Sequence, residues 1–279
     1  MNTKNYAAFV DLNYDLGPLT LIAGARLSHE KSRGTFERGL PRDGAPAEGG
    51  PDMSLFLPGS AIAGYTPLSV ASSVKYDHFS WRAGAQYHVA PDIMIYATAY
   101  RAYKGPGFNF AADLTPAVFA QTQSIVDPEI AHSYEVGLRT QFFDRQVTFN
   151  VTGYYAPYKD FQITAALPGT GGNGLTYTII NAGGIHAKGI ETEFAFNPRG
   201  ALGGFSISGD LTWNDTKYSD FTNAPCYALQ PRSATPGVCA APSMGSTASV
   251  QSVNGFRTVG NPEWKTTASS PMIWPSPRR

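Results

Sequence analysis

Few residues in this 279-residue sequence could do chemistry, and none of them falls into a reactive set. Cys226 and Cys239 lie in a Pro/Ser/Ala-rich stretch with no histidine nearby, which argues against a zinc site. The histidines, His29, His78, His88, His132 and His186, are scattered along the chain. His78 and His88 share a strand face but stand roughly 34 Å apart at strand rise, too far to chelate one metal. All five read as polar residues facing a wet interior. Ser28-His29-Glu30-Lys31 and Ser72-Ser73-Val74-Lys75 spell the S-x-x-K of penicillin-recognising enzymes. That chemistry needs Ser and Lys one helical turn apart, with S-D-N and K-T-G partners that do not occur. Gly169-Thr170-Gly171-Gly172-Asn173-Gly174 spells a dinucleotide fingerprint, but the residues that follow, Leu175-Thr176-Tyr177-Thr178-Ile179-Ile180, are strand-like rather than helical. The glycine run is therefore expected to be a loop. Glu135, Glu191 and Glu193 have no cleft or matched acid and base that would point to hydrolysis. Neither an enzyme nor a cofactor is expected.

Composition narrows the field further. Glycine (29), Tyr (15), Phe (16) and Trp (4) are plentiful, while charged residues make up only 15%. Lys+Arg and Asp+Glu cancel at 21 each, so no global field attracts nucleic acid. No window approaches the ~18 consecutive apolar residues of a transmembrane helix. The opening Met1-Asn2-Thr3-Lys4-Asn5-Tyr6 lacks the basic start and apolar core of a signal peptide.

The elements that position these side chains have period two. Leu19, Leu21, Ala23, Ala25 and Leu27 share one face, against Thr20, Gly24, Arg26, Ser28 and Glu30 on the other. Phe79, Trp81, Ala83, Ala85, Tyr87 and Val89 likewise oppose His78, Ser80, Arg82, Gly84, Gln86 and His88. Strands are expected near 5–15, 19–31, 75–89, 92–104, 132–143, 146–160, 184–197 and 204–217, with a ninth starting near Glu263. The fourth and sixth are too apolar on both faces for their sides to be assigned. Short turns (Leu16-Gly17-Pro18, Ala90-Pro91-Asp92, Asp144-Arg145, Asn197-Pro198-Arg199-Gly200) alternate with long loops at 32–74, 105–131, 161–183 and 218–262. Compact domains rarely contain loops of that size.

The pattern predicts an all-β, antiparallel up-and-down meander whose long loops all lie at one end. Outer-membrane barrels sort their connections in this way. A strand of about 14 residues, tilted ~45°, rises roughly 33 Å, more than the ~25 Å apolar band. Such a sheet must close, because lipid offers no partners for backbone groups.

Between about Asp92 and Phe221 the sequence resembles the barrel of TonB-dependent outer-membrane receptors. The resemblance is carried by Tyr96-Ala97-Thr98-Ala99-Tyr100, Tyr103-Lys104-Gly105-Pro106-Gly107-Phe108-Asn109, Asp127-Pro128-Glu129 and Ser133-Tyr134-Glu135-Val136-Gly137-Leu138. It continues through Tyr158-Lys159-Asp160-Phe161-Gln162, Asn181-Ala182-Gly183 and Lys188-Gly189-Ile190-Glu191. Residues 1–91 fit by pattern only.

The resemblance implies active import of a scarce nutrient, often a ferric siderophore, through a 22-stranded barrel in the outer membrane of Gram-negative cells. It also implies a plug that couples to TonB–ExbB–ExbD. Residues 1–268 are then expected to be an arc of mid-barrel strands without the plug, and not transport-competent alone. The proline-rich tail 269–279 breaks the alternation and is expected to be aberrant. Membrane lipid and a small-molecule or metal-chelate cargo are the implied partners.

Arg26, Arg82, Glu135, Arg139, Glu191 and Glu193 are expected to form a polar network facing the lumen. Arg33, Arg38 and Arg42, in the first long loop, are candidates for contact with an anionic chelate. Cys226 and Cys239, in the last long loop on an oxidising surface, are expected to form a disulfide worth roughly 3 kcal/mol. Two alternatives share parts of this pattern. A passive porin-like channel would conduct constitutively, and a soluble secreted β-sandwich binding module would purify without detergent.

Overall fold

The computed structural model describes residues 1–38, 68–108, 125–168, 175–200, 205–222, 224–226, 239 and 250–270. Its strands are β1 (Asn2–Leu16), β2 (Leu19–Arg38), β3 (Leu68–Ala90), β4 (Ile93–Lys104) and β5 (Gly107–Phe108). They continue with β6 (Ile125–Val126), β7 (Glu129–Phe142), β8 (Val147–Lys159), β9 (Gln162–Pro168) and β10 (Leu175–Asn181). The last are β11 (Gly184–Phe196), β12 (Ile207–Asp220), β13 (Ala224–Pro225), β14 (Val250–Gln251) and β15 (Trp264–Ser269).

Nine of these strands form one sheet in the order β1-β2-β3-β4-β7-β8-β11-β12-β15. The pairings are antiparallel between chain neighbours throughout, which makes an up-and-down meander. The remaining strands form three two-stranded hairpins, β5–β6, β9–β10 and β13–β14, set within the long connections at one end of the sheet. At the other end the β1–β2, β3–β4 and β7–β8 turns are tight, whereas β11 and β12 are joined by residues 197–206, longer than the four-residue turn expected there. The β7–β8 turn spends four residues, with Phe143, Asp144 and Arg145 all at positive φ. Arg145 Nε reaches Asp92 Oδ1 of the adjacent turn at 2.9 Å.

Register carries the two faces unbroken across the sheet. On the apolar face Ala97 pairs with Val136, Val136 with Gly153, Gly153 with Ile190, and Ile190 with Trp213. One position along, Tyr96, Gly137, Thr152, Glu191 and Thr212 form the corresponding polar row. Apolar side chains on the first face remain open: Leu27 is 64% exposed and Val136 62%. A face this apolar and this continuous needs a non-aqueous environment. Among the described residues buried apolar side chains are few, and one cluster of them lies in the connections, where Ala182, Phe221 and Ala224 pack with Ile163, Ile180, Tyr218 and Val253.

Three expectations need correction. The β2–β3 ladder runs on to Arg38↔Leu68, so seven residues on each side of the segment expected as loop (32–38 and 68–74) are strand. Polar residue types stand at both parities of these stretches, Ser32 and Thr35 among them, and the alternation that marks a strand fades there. The 161–183 segment is not structureless, since β9 and β10 pair from Gln162↔Asn181 to Pro168↔Leu175. Finally, His29, His132 and His186 share the parity of Leu27, Tyr134 and Ile190, so only His78 and His88 lie on the polar face.

Gly137 shows why glycine is needed inside this sheet. A Cβ there would lie 2.3 Å from Tyr96 Cε1, because the Tyr96 ring rests flat across the glycine. Its hydroxyl thereby reaches Thr152 Oγ1, one strand further on, at 3.0 Å. Gly137→Ala is expected to destabilise the sheet by about 1–3 kcal/mol through overpacking. In a Tyr96→Ala background most of that cost should vanish, read by urea unfolding; strictly additive effects would contradict the seat.

A disulfide joins Cys226 and Cys239, with Cα atoms 5.7 Å apart. Peptide mapping of exported protein without reductant should recover the linked pair, and two free thiols would count against it.

Candidate functional site

The candidate site is the polar face, together with the rim where the long connections meet it. Strand pleating puts Arg26, Arg82, Glu135, Arg139, Glu191 and Glu193 on this face. Among the described residues no ion pair joins any two of the six. Their partners are other residues. Arg82 Nη2 pairs with Asp11 Oδ1 at 2.7 Å, two strands away across Gly24. Arg26 Nε donates to Ser28 Oγ at 3.0 Å. Glu135 Oε1 accepts from Ser133 Oγ at 3.5 Å. Arg139 Nη2 donates to the Tyr96 hydroxyl at 3.1 Å, with its guanidinium 5.2 Å from the ring centroid. Glu193 Oε2 accepts from Asn150 Nδ2 at 2.8 Å.

The Tyr96–Gly137 arrangement recurs. Tyr154 lies over Gly189, where a Cβ would meet its hydroxyl at 2.6 Å. The Arg82–Asp11 pair fills the space above Gly24. Long side chains thus lie along the wall instead of projecting from it. Farther along, Arg139, Glu191, Glu193, Asp210, Thr212 and Lys265 line one polar concavity. This is a hydrogen-bonding wall of mixed charge, suited to contact with a polar body. It contains no nucleophile–base pair. Among the described residues no group of three or more His, Cys, Asp or Glu could hold a metal ion.

At the rim, four of the segments that carry the family resemblance converge. Gln162 Nε2 donates to Gly105 O at 3.0 Å and Asp127 O at 2.9 Å, tying the β8–β11 connection to the β4–β7 connection. Asn181 repeats the link: its Nδ2 donates to Asp127 O (3.0 Å) and Asp160 O (2.7 Å), and its Oδ1 accepts from Asp127 N (2.9 Å). The buried Glu129 carboxylate accepts from Gln162 N at 3.0 Å. Gly183, at φ +64°, lets the chain leave this hub: a Cβ there would lie 1.6 Å from Asp220 O. Sequence reasoning missed the hub, although its residues stood in the quoted motifs; polar side chains bonded to backbone leave no periodic trace.

Nearby, His78 is buried, its ring tilted against Tyr103 at 3.7 Å and stacked on Tyr76 at 5.8 Å, and among the described residues its Nε2 has no hydrogen-bond partner. Of the loop candidates, Arg33 lies in β2 and carries the parity of Leu27, which directs it away from the polar face. Arg38 ends β2, and Arg42 lies outside the described residues.

Gln162→Ala removes the two bridges that this side chain makes between the connections and leaves those of Asn181. Each net hydrogen bond is worth about 1 kcal/mol, so limited proteolysis at the rim should accelerate roughly tenfold or more. Unfolding of the nine-stranded sheet should stay unchanged; equal loss of both would show that the hub is not local.

The family model described as TonB dependent receptor-like, beta-barrel matches residues 1–268. Among solved structures, the chain is similar to the ferric yersiniabactin uptake receptor FyuA from Yersinia pestis, with 17% identity and TM-score 0.57 over 96% of this chain and 31% of that one. It is similar to the siderophore receptor PiuA from Acinetobacter baumannii, with 13% identity and TM-score 0.59 over 96% and 31%. Similarity to the copper transporter OprC covers 77% of this chain and 29% of that one, with 16% identity and TM-score 0.56. At these identities the shared feature is the fold, and the chain spans about a third of the length of the receptors it matches. By the family match over nearly its whole length, and by a meander with one apolar and one polar face, this chain belongs to the TonB-dependent receptor family, within its β-barrel.

Proposed function

We propose that the chain forms an arc of the barrel wall in an outer-membrane receptor that imports a scarce nutrient, with a metal chelate such as a ferric siderophore as its cargo class. The observation that carries the reading is the unbroken separation of faces. The apolar row is exposed along the sheet, the opposite row is polar and hydrogen-bonded, and every long connection leaves from one end. Lipid covers the first face, and the second lines a wet lumen.

In this reading the wall does not make or break bonds. Arg82, Glu135, Arg139, Glu191 and Glu193 give a plug a polar surface to slide or dock against, and Arg26 extends that surface toward the rim. The Tyr76, His78 and Tyr103 rings offer a first contact for an anionic aromatic chelate, with Arg38 and Arg42 as further candidates by residue type alone. Energy arrives through a plug that engages TonB–ExbB–ExbD. That plug and the strands completing the barrel belong to parts of the receptor other than this arc. The names of the matched receptors, two for siderophores and one for copper, motivate the cargo class.

Uptake of radiolabelled ferric chelates tests the reading in cells carrying the complete gene. Accumulation should fall at least tenfold on disruption of the gene and should collapse with a protonophore. Protonophore-insensitive uptake, with constitutive conductance in planar bilayers, would instead establish a passive channel.

A further inference from the structure

Three lysines on consecutive strands stand side by side: Lys4 of β1 pairs across to Lys31 of β2, and Lys31 to Lys75 of β3. Like charges directly opposite one another oppose sheet pairing. Arg33 stands one same-face position beyond, opposite Asn2 and Ser73. Among the described residues none of these four cations is within ion-pairing distance of a carboxylate. The nearest same-face carboxylate, Asp77, is held by His29 at 2.6 Å. Within the described residues, the row is an uncompensated line of positive charge.

Its place in the fold says what would compensate it. The row has the parity of Leu27, Phe79 and Ala8, so it belongs to the apolar face and not to the lumen. Ascending that face, Ala8, Leu27 and Phe79 give way to Tyr6, His29 and Asp77, and these to the lysines. At ~3.3 Å per residue and ~45° tilt, Lys31 stands roughly 30 Å above the Gly17-Pro18 turn, just past a ~25 Å apolar band. Acyl chains, interface and headgroups follow in that order in a bilayer, and headgroup phosphates lie at the level of the lysines.

We propose that Lys4, Lys31 and Lys75, with Arg33 above them, bind the phosphorylated headgroup of a lipid in the leaflet that faces the long connections. This rests on the barrel reading, with the apolar face in lipid. Adjacent strands lie ≈ 4.8 Å apart, so a phosphate seated between two of them takes a charge-assisted hydrogen bond from each ammonium. A headgroup bearing two phosphates spans the row.

The test uses the complete receptor that contains this arc, in neutral phosphatidylcholine nanodiscs, with lipid A as the bis-phosphorylated probe and native mass spectrometry as the readout. Lipid A should remain bound through delipidation. Dephosphorylated lipid A should bind at least tenfold more weakly, and free inorganic phosphate should compete poorly. A Lys4→Gln, Lys31→Gln, Lys75→Gln triple variant should lose tenfold or more in lipid A affinity, while the triple variant to Arg keeps it. Lys265→Gln, on the polar face, should change nothing. Equal binding by the Gln triple variant, by dephosphorylated lipid A or by phosphate alone overturns the inference. Insertion into nanodiscs without phosphate-dependent binding refutes the lipid site and leaves the barrel standing. Failure of the complete wild-type receptor to insert refutes both.

Discussion

Everything in this structure follows from the need to pair backbone groups sideways. A strand in lipid finds no water for its N–H and C=O groups, and each one left unpaired costs several kcal/mol. The continuous ladder from β1 to β15 answers that constraint, with each inner strand bonded to its chain neighbours on both sides. Antiparallel pairing of chain neighbours allows tight turns at one end. Once the ladder is set, pleating divides every strand into two faces, and a one-residue slip would exchange them. The faces therefore hold register across the sheet, from Ala97 through Val136 to Trp213.

The same ladder decides how the interior is furnished. In the proposed barrel, a wall that surrounds a plug cannot carry side chains that fill its lumen. Glycine at 24, 137 and 189 gives neighbouring Arg82, Tyr96 and Tyr154 space to lie along the wall. Their polar ends then meet partners one or two strands away, as Tyr96 meets Thr152 and Arg82 meets Asp11. Such half-exposed ion pairs add little stability, about 0–1 kcal/mol each, so they shape the surface more than they hold the fold. At the rim the ladder ends, and side-chain amides take over: Gln162 and Asn181 hold the bases of two long connections together through backbone carbonyls.

The strands themselves were legible because the apolar band writes its alternation directly into the chain. The expected strand near 184–197 is β11 (Gly184–Phe196), and that near 146–160 is β8 (Val147–Lys159). Legibility stopped where the band stopped. Residues Ser32 to Arg38 continue β2 with polar residue types at both parities, so they carried no alternation to read. His29 and His186 sit at that height too, which is why polarity alone placed them on the wrong face. The sides of β4 and β8 were ambiguous because Tyr96 and Tyr154 are amphipathic rings; only pairing with Gly137 and Gly189 fixes their direction. The lumen candidates were found by parity, but their partners, Asp11, Asn150 and Tyr96, were not. Those contacts depend on cross-strand register, which no local pattern encodes.

The central claim, one face in lipid and the other in water, is tested most directly by paired single-cysteine labelling in bilayers. In a Cys226→Ser, Cys239→Ser background, a fluorophore is attached at Leu138→Cys or Arg139→Cys, Val151→Cys or Thr152→Cys, and Ile190→Cys or Glu191→Cys. Quenching is then compared between lipid-borne nitroxide and an aqueous quencher. Leu138, Val151 and Ile190 should respond to the lipid quencher, and Arg139, Thr152 and Glu191 to the aqueous one, alternating at every step. Equal quenching by water at both members of each pair would contradict the account and leave a sheet that does not sit in a membrane.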